Sequence, residues 1–495
     1  MSEARIRQVV VLGGGLAGWA AAAALSHTLR EQRMRIRVLE QPHSAPDSLA
    51  EATLPYTTAF HRKLDINERD LMAFTQATFR LGTEFLGWWP GQEPAFMPLG
   101  RHGAGIDYLP FQHYAIRKHL DGDTTPMDAY SIGAQAARRG VFTHPSDDSS
   151  SPLFTMAYGL HVDSSLYAQY MRLVAQQNGV QAITGHWTDI RQDADNGFVE
   201  AVVLDNGEAL EADLFIDAGG PGKPLLERGF DVRFLGWSGL MPCQRVLSRH
   251  VPAKRVEPPR TDNLALACGW KRRLPLQDRV VEELSFPDTL IDERQALQVL
   301  DAVKGQDISA RSLRIGRLER FWVANVVTLG PAAGSLDGLA AGPLDLAQRG
   351  IVRLLELFPD RQCDPALAGE YNLQTGWEYD NLRDFHLAHR LGVPAFGTSL
   401  RGVTASPALR ARMDVFDCHG QLPQFRGETF DENGWASLFL VQGRWPAAYN
   451  RCLDSLDLAR LDERFRKTRE LISKAVAQMP SQRDYLARYC PAMPR

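Results

Sequence analysis

Cysteine is sparse and unpatterned in this 495-residue chain: Cys243, Cys268, Cys363, Cys418, Cys452 and Cys490 form no C-x-x-C pair and no Cys/His cluster at zinc spacing. That excludes a disulfide-built scaffold and a zinc module, and the expectation is no metal and a reducing, cytoplasmic location. An excess of either charge is also missing. With 55 Lys+Arg against 59 Asp+Glu, a net charge of -4, there is no electrostatic reason to expect nucleic acid or an anionic membrane as partner. No apolar run is long and unbroken enough to span a bilayer. Arg5 and Arg7 precede a stretch without Asp, Glu, Lys or Arg from Gln8 to Thr28, which has the outline of a secretory signal, but its three consecutive glycines argue against one. Internal repeats and low-complexity tracts are absent, and the polar stretch Ser146 to Ser151 is no longer than a surface loop. No Ser-His-Asp order or carboxylate pair stands out to suggest hydrolysis.

What the chain does have begins at Val9. Val9, Val10, Val11 and Leu12 make a short apolar strand, and Gly13, Gly15 and Gly18 follow at G-x-G-x-x-G spacing, opening an alanine-rich helix predicted from about Ala17 to Arg30. The first glycine allows the tight turn, the second lets backbone approach a pyrophosphate, and the third lets helix pack against strand. The helix N-terminus then faces the phosphates. A second strand, Ile36 to Leu39, ends in Glu40, where an acid accepts hydrogen bonds from an adenosine ribose. Dinucleotide binding is the reading, and no second fingerprint for a nicotinamide appears.

A chain of this length exceeds one ordinary core, so two interleaved subdomains or one large α/β unit are expected. A helical pattern runs from about Thr57 to Phe85, broken near Asp65 and Asn67. The aromatics Trp88, Trp89, Phe96, Tyr108, Phe111 and Tyr114 suit either a pocket wall or ordinary core. His161-Val162-Asp163 leads a helix from about Ser165 to Gln177, followed by a strand near Ala182. A hairpin then runs from Val199 to Leu204, turns at Asp205-Asn206-Gly207 and returns from Glu211 to Asp217. Ala218-Gly219-Gly220 after it is a second place where backbone can approach a cofactor. A third glycine-rich segment, Val326 to Gly338, precedes a helix from about Leu344 to Phe358. The chain beyond Pro359 reads mostly helical, ending in an amphipathic helix from about Leu458 to Met479. His61 and His161 read equally as hydrogen-bonded core residues, and His113, in an aromatic stretch, is assigned no role.

With these segments placed, nearly the whole chain resembles the flavin-dependent tryptophan halogenase family. The residues that carry the resemblance are Gly13 to Trp19, Glu51-Ala52-Thr53-Leu54-Pro55, Phe60-His61, Ala77-Thr78-Phe79, His161-Val162-Asp163, Phe215-Ile216-Asp217, Gly330 to Leu339, Trp435, Gln442 to Pro446 with Tyr449, and Met479-Pro480. The resemblance implies a Rossmann-like, glutathione-reductase-type FAD-binding domain made of 1–110, 155–225 and 310–360. It is interleaved with a substrate-side subdomain, 111–154 and 226–309, and followed by a helical region, 361–495. FAD contacts are expected at Gly13, Gly15, Leu16, Ala17, Gly18, Glu40, Ala52, Thr53, Asp217, Gly330, Gly334, Asp337 and Leu339. Helix N-terminal amides after the third glycine segment suit the flavin end of the cofactor. Members of the family receive FAD reduced by a separate flavin reductase and use it with oxygen and halide to make hypohalous acid. The acid passes through a tunnel to a lysine, which with a glutamate directs it onto an indole or phenol; oligomers are possible.

At the family's working positions this chain departs. The lysine that follows Thr-Phe is Arg80, the glutamate is Ala340, and the Thr-Gly pair implicated in holding halide aligns with Gly342-Pro343. Arginine keeps the charge but cannot be deprotonated to a nucleophile, and proline lacks a backbone donor. The family's Trp-x-Trp-x-Ile-Pro motif, thought to keep flavin and substrate chambers apart, reads Trp270-Lys271-Arg272-Arg273-Leu274-Pro275, unless Lys271 to Arg273 is merely a solvated charge run. The expectation is an FAD-dependent oxidoreductase acting with reduced flavin and oxygen on a small aromatic substrate, with altered halogenating apparatus. A halogenase working through Arg80 and a non-catalytic FAD-binding partner or sensor are the alternatives, and a carboxylate from elsewhere, such as Asp345, could replace the lost one.

Overall fold

Strand Gln8–Leu12 is buried at four of its five positions and lies inside a six-stranded sheet. The computed structural model describes residues 5–42, 48–91, 94–106, 109–220, 222, 224–303, 305–396 and 403–493. The sheet runs 322–323, 326–328, 214–217, 8–12, 35–40, 181–184, with all neighbours parallel except the 322–323 edge. Leu12 is in register with both Leu39 and Asp217, so three strands end together and open the crevice in which such sheets hold ligands. Helix Leu16–Thr28 is buried from Leu16 to Ser26. Its alanines let it contact helices Ser164–Gln177 and Pro343–Glu356, so the glycine turn is clamped on two sides.

A second, seven-stranded sheet runs 308–312, 245–252, 279–286, 269–275, 261–266, 82–86, 95–98. It is antiparallel except where Thr261–Leu266 meets Gly82–Leu86. A three-stranded sheet of Ala50–Ala52, Gly159–Asp163 and Thr78–Arg80 joins the two, because Thr78–Arg80 continues through Leu81 into Gly82–Leu86. Arg80 therefore sits at the joint. The helical pattern expected from Thr57 to Phe85 holds only for Tyr56–Lys63 and Glu68–Phe74. Asp65 adopts a left-handed φ of 52°, and Asn67 caps the second helix by accepting from the Arg69 and Asp70 amides. Beyond Thr75, Phe79, Leu81 and Phe85 alternate as in a strand, and pairing with Gly159–Asp163 and Thr261–Leu266 decides the conformation.

The return strand expected from Glu211 to Asp217 is split. Ala209–Glu211 closes the hairpin, and Leu214–Asp217 leaves it for the six-stranded sheet. The division expected at residue 110 is not a sheet boundary, since Gly82–Leu86 and Ala95–Pro98 belong to the seven-stranded sheet. Residues beyond 360 supply the helices Pro365–Arg390, Pro407–His419, Glu432–Val441, Leu458–Gln478 and Gln482–Tyr489. Trp88, Trp89, Phe96, Phe111 and Tyr114 are all buried core, with Trp88 against Phe85, Trp270 and Phe396; Tyr108 lies outside the described residues. Among the described residues no helix is long and apolar enough to cross a membrane, and no group of His, Cys, Asp and Glu could hold a metal.

Candidate functional site

Gly13, Gly14, Gly15, Leu16, Ala17, Trp19 and Glu40 line a cavity of 310 Å³ together with Arg172, Gly219, Gly220, Pro331 and Pro343. Gly13 has a φ of 113°, and a Cβ there would come within 2.6 Å of the Ala218 carbonyl, so the turn admits no side chain. The helix that starts at Leu16 has no side-chain cap and no acid in its first turn, so its leading amides are donors open to an anion. The Glu40 carboxylate is held by Trp19 Nε1 at 3.0 Å and Arg172 Nη1 at 3.2 Å, both on Oε1, and Oε2 takes neither of them. Trp19 belongs to the sequence pattern after Gly18, with no contact to Glu40 implied there, and Arg172 carries no local signal.

The other expected cofactor residues do not line this cavity. Asp217 accepts from the amides of Gly219 at 3.1 Å and Leu225 at 2.7 Å, fixing the turn after its strand. Gly330 packs on Ala17 and Gly334 against Gly316 and Tyr379. Asp337 is sealed from solvent between His386 Nδ1, at 2.8 Å, and the Arg390 guanidinium. Ala52 ends strand Ala50–Ala52, and Thr53 turns its hydroxyl to the Leu160 amide and its carbonyl to Arg80.

Arg80 borders a larger cavity of 460 Å³, lined also by Leu54, Tyr56, Thr83, Phe85, Met156, Leu339, Ala340, Arg349, Phe385, His389 and Phe430. Its guanidinium is anchored three ways: Nε donates to Thr261 Oγ1 at 3.1 Å, Nη1 to the Thr53 carbonyl at 2.9 Å and Nη2 to Thr83 Oγ1 at 2.9 Å. One N–H on each Nη remains for whatever the cavity holds. Burial pulls the pKa down to about 10 against the opposing charge of Asp345, so the group stays cationic at neutral pH. The anchor continues inward. Thr261 Oγ1 lies 2.8 Å from His161 Nε2, His161 Nδ1 lies 3.2 Å from Thr78 Oγ1, and Thr78 donates to the Pro275 carbonyl at 2.6 Å. The pattern assigns His161 the neutral Nδ1–H tautomer, and burial holds its pKa well below the usual histidine range. His161 is thus a core relay; His61, bonded to Tyr167 at 2.8 Å, and His113, facing Glu432 at 3.3 Å, are likewise structural.

Ala340 faces the same cavity as Arg80, and Asp345 has not moved in to replace a carboxylate. Asp345 caps helix Pro343–Glu356, accepting from the Gly342 amide at 3.1 Å and the Leu54 amide at 2.9 Å. The Gly342 N–H is thereby consumed, and Pro343 has none. A Cβ at Gly342 would fall on the carboxyl of Glu51, which accepts a hydrogen bond from Ser48 and lines the smaller cavity. Burial pushes its pKa up to about 7, with Ser48, Arg272 and Arg311 opposing. Glu51 was quoted from the sequence only as part of a motif; its titration depends on the tertiary setting.

A carboxyl raised from 4.5 to about 7 stabilises the fold while neutral. That contribution is complete below pH 4.5 and is lost as pH rises through 7, by about 3 kcal/mol at 1.36 kcal/mol per unit. Urea unfolding of the cofactor-free protein should show Glu51→Gln gaining stability over wild type between pH 5 and pH 8. Parallel profiles for the two proteins would contradict this.

Lys271 to Arg273 is not a solvated run. These residues lie on strand Gly269–Pro275 with Arg272 buried; its Nε donates to Glu283 Oε2 at 2.9 Å and its Nη1 to the Gly338 carbonyl at 2.6 Å. Glu283 also receives Arg311 at 3.1 Å and Ser248 at 3.2 Å. Burial would raise its pKa, and the two arginines outweigh it and hold it low. Trp270 borders neither cavity, being packed edge-on to Trp88. Arg272 thus braces the loop at Gly338.

The tryptophan halogenase family model matches residues 8–457. The solved structure of BrvH, a flavin-dependent halogenase from Brevundimonas sp. BAL3, is 31% identical with a TM-score of 0.92, covering 98% of this chain and 100% of that one. Xcc4156, a flavin-dependent halogenase from Xanthomonas campestris, is 32% identical with a TM-score of 0.93, covering 99% and 100%. Tryptophan 6-halogenase ThaL of Streptomyces albogriseolus is 27% identical over 424 residues, 80% of this chain and 78% of that protein. The chain belongs to the tryptophan halogenase family, whose enzymes are FAD-dependent oxidoreductases.

Proposed function

We propose that this chain uses FAD, reduced by a separate flavin reductase, and oxygen to oxidise an indole- or phenol-bearing substrate, without lysine-guided halogenation. The observation that carries this is the Gly342-Pro343 step, where the one backbone N–H is bonded to Asp345 and the other does not exist. A halide there would have no amide to hold it. Arg80 supplies a fixed cation instead of a nucleophilic amine, and Ala340 supplies no carboxylate.

The smaller cavity fits FAD, with the open amides at Leu16, Ala17 and Gly18 toward the pyrophosphate, Gly13 and Gly15 admitting close backbone, and Glu40 Oε2 toward the ribose. Asp217, Gly330, Gly334 and Asp337 position these segments, while Leu339 lines the larger cavity and Thr53 holds Arg80 beside it. Bound FAD would supply the electrons for oxygen chemistry. In the larger cavity Phe85, Met156, Phe385 and Phe430 exclude water and hold an aromatic ring, while the free Arg80 N–H groups orient and stabilise developing negative charge on oxygen. Oxygen uptake by the protein loaded with reduced FAD should be coupled to an indole and indifferent to bromide. Coupling that requires bromide would overturn the proposal.

A further inference from the structure

A third cavity, of 350 Å³, adjoins the one beside Arg80, and the two share Arg101, Asp431 and Asn433 in their walls. We infer that the substrate is an aromatic side chain carried on a peptide, the ring seated beside Arg80 and the peptide backbone lying across Arg101, Asp431 and Asn433 into the adjoining cavity. This rests on the reading that the inner cavity takes an aromatic ring.

The two spaces differ in chemistry. The inner one sets Phe85, Met97, Met156, Leu339, Phe385 and Phe430 around the Arg80 cation, which suits a ring. The outer one adds Gln112 and Glu432 to the side chains of the shared wall. Gln112 donates to Glu432 Oε1 at 3.0 Å, and buried His113 sits 3.3 Å from the same oxygen, so Glu432 is held rigidly and the Gln112 carbonyl is left as an acceptor.

The shared wall is poised but unspent. Asp431 uses Oδ1 to cap helix Glu432–Val441, accepting from the Gly434 amide at 3.0 Å, and keeps Oδ2 free. Among the described residues Arg101 and Asn433 have no side-chain partner, and Arg101 does not pair with Asp431 although both border the same two cavities. Donors and acceptors interleaved along a groove match an amide backbone, which presents one of each at every residue. A lone aromatic ring would leave all of them to water.

Titration calorimetry of the FAD-loaded full chain with indole, free tryptophan and the end-blocked pentapeptide Gly-Gly-Trp-Gly-Gly tests this. The pentapeptide is expected to bind at least about tenfold more tightly than either small ligand. The Arg101→Ala/Asn433→Ala protein should lose about that factor in its peptide-to-indole affinity ratio, with thermal melting showing that it folds. Equal affinity for pentapeptide and indole would overturn the inference while leaving the aromatic cavity standing. Free tryptophan binding as tightly as the pentapeptide would overturn it in favour of an amino-acid clamp. Failure of every ligand to bind would overturn the aromatic reading and this inference with it.

Discussion

Replacing Arg272 by Met should destabilise the protein by about 4 kcal/mol. The substitution keeps much of the side-chain volume but strips Glu283 Oε2 of its donors and the Gly338 carbonyl of its partner. Arg311 and Ser248 remain on Oε1 only. A carboxylate 2% exposed then sits half-paired in a strand buried along its whole length, where the desolvation cost is no longer offset. Removing both partners removes that cost. The double protein Arg272→Met/Glu283→Leu should recover at least half of the loss, because apolar replacements of buried ion pairs are often neutral. Urea unfolding midpoints of the three proteins measure it, and a single variant within 1 kcal/mol of wild type would show that the ion pair is not what braces the loop.

Gly18→Ala should weaken FAD binding by about 100-fold, or about 2.7 kcal/mol. A Cβ at Gly18 would fall on the Gly13 carbonyl oxygen and 3.5 Å from Val11 Cγ1. Neither can retreat, since Val11 is in the six-stranded sheet and Gly13 donates its amide to the Leu39 carbonyl at 2.9 Å. The helix has to move away from the strand, carrying its open amides out of line with the phosphates. Gly369→Ala, in helix Pro365–Arg390 with nothing within 4 Å, is the control and should bind FAD as wild type does. Fluorescence titration with FAD separates the two, and equal affinities would mean that the close approach of helix to strand does not set the site.

The dinucleotide end was legible because its physics is local: a strand, three glycines, a helix and an acid lie within forty residues. The strands at 78–80 and 82–86 were not, since Phe79, Leu81 and Phe85 fit either spacing until distant partners at 159–163 and 261–266 are present. Asp217 and Asp337 show a second limit. A motif marks them as important, but only the fold reveals that one grips a turn and the other a buried arginine and histidine. Arg272 shows a third, for three consecutive basic residues look solvated until strand Arg279–Phe286 brings Glu282 and Glu283 alongside. The changes at Arg80 and Ala340 were readable as losses, whereas the bond from Gly342 to Asp345 that completes them was not.

On the proposed function, the Arg80 cavity oxidises an aromatic substrate and does not halogenate it. The most direct measurement is the mass of the product formed from indole by the protein loaded with reduced FAD, under ¹⁸O₂ and in the presence of bromide. An indole product carrying ¹⁸O and no bromine isotope doublet is the predicted result. Brominated indole formed at multiple turnovers would contradict it.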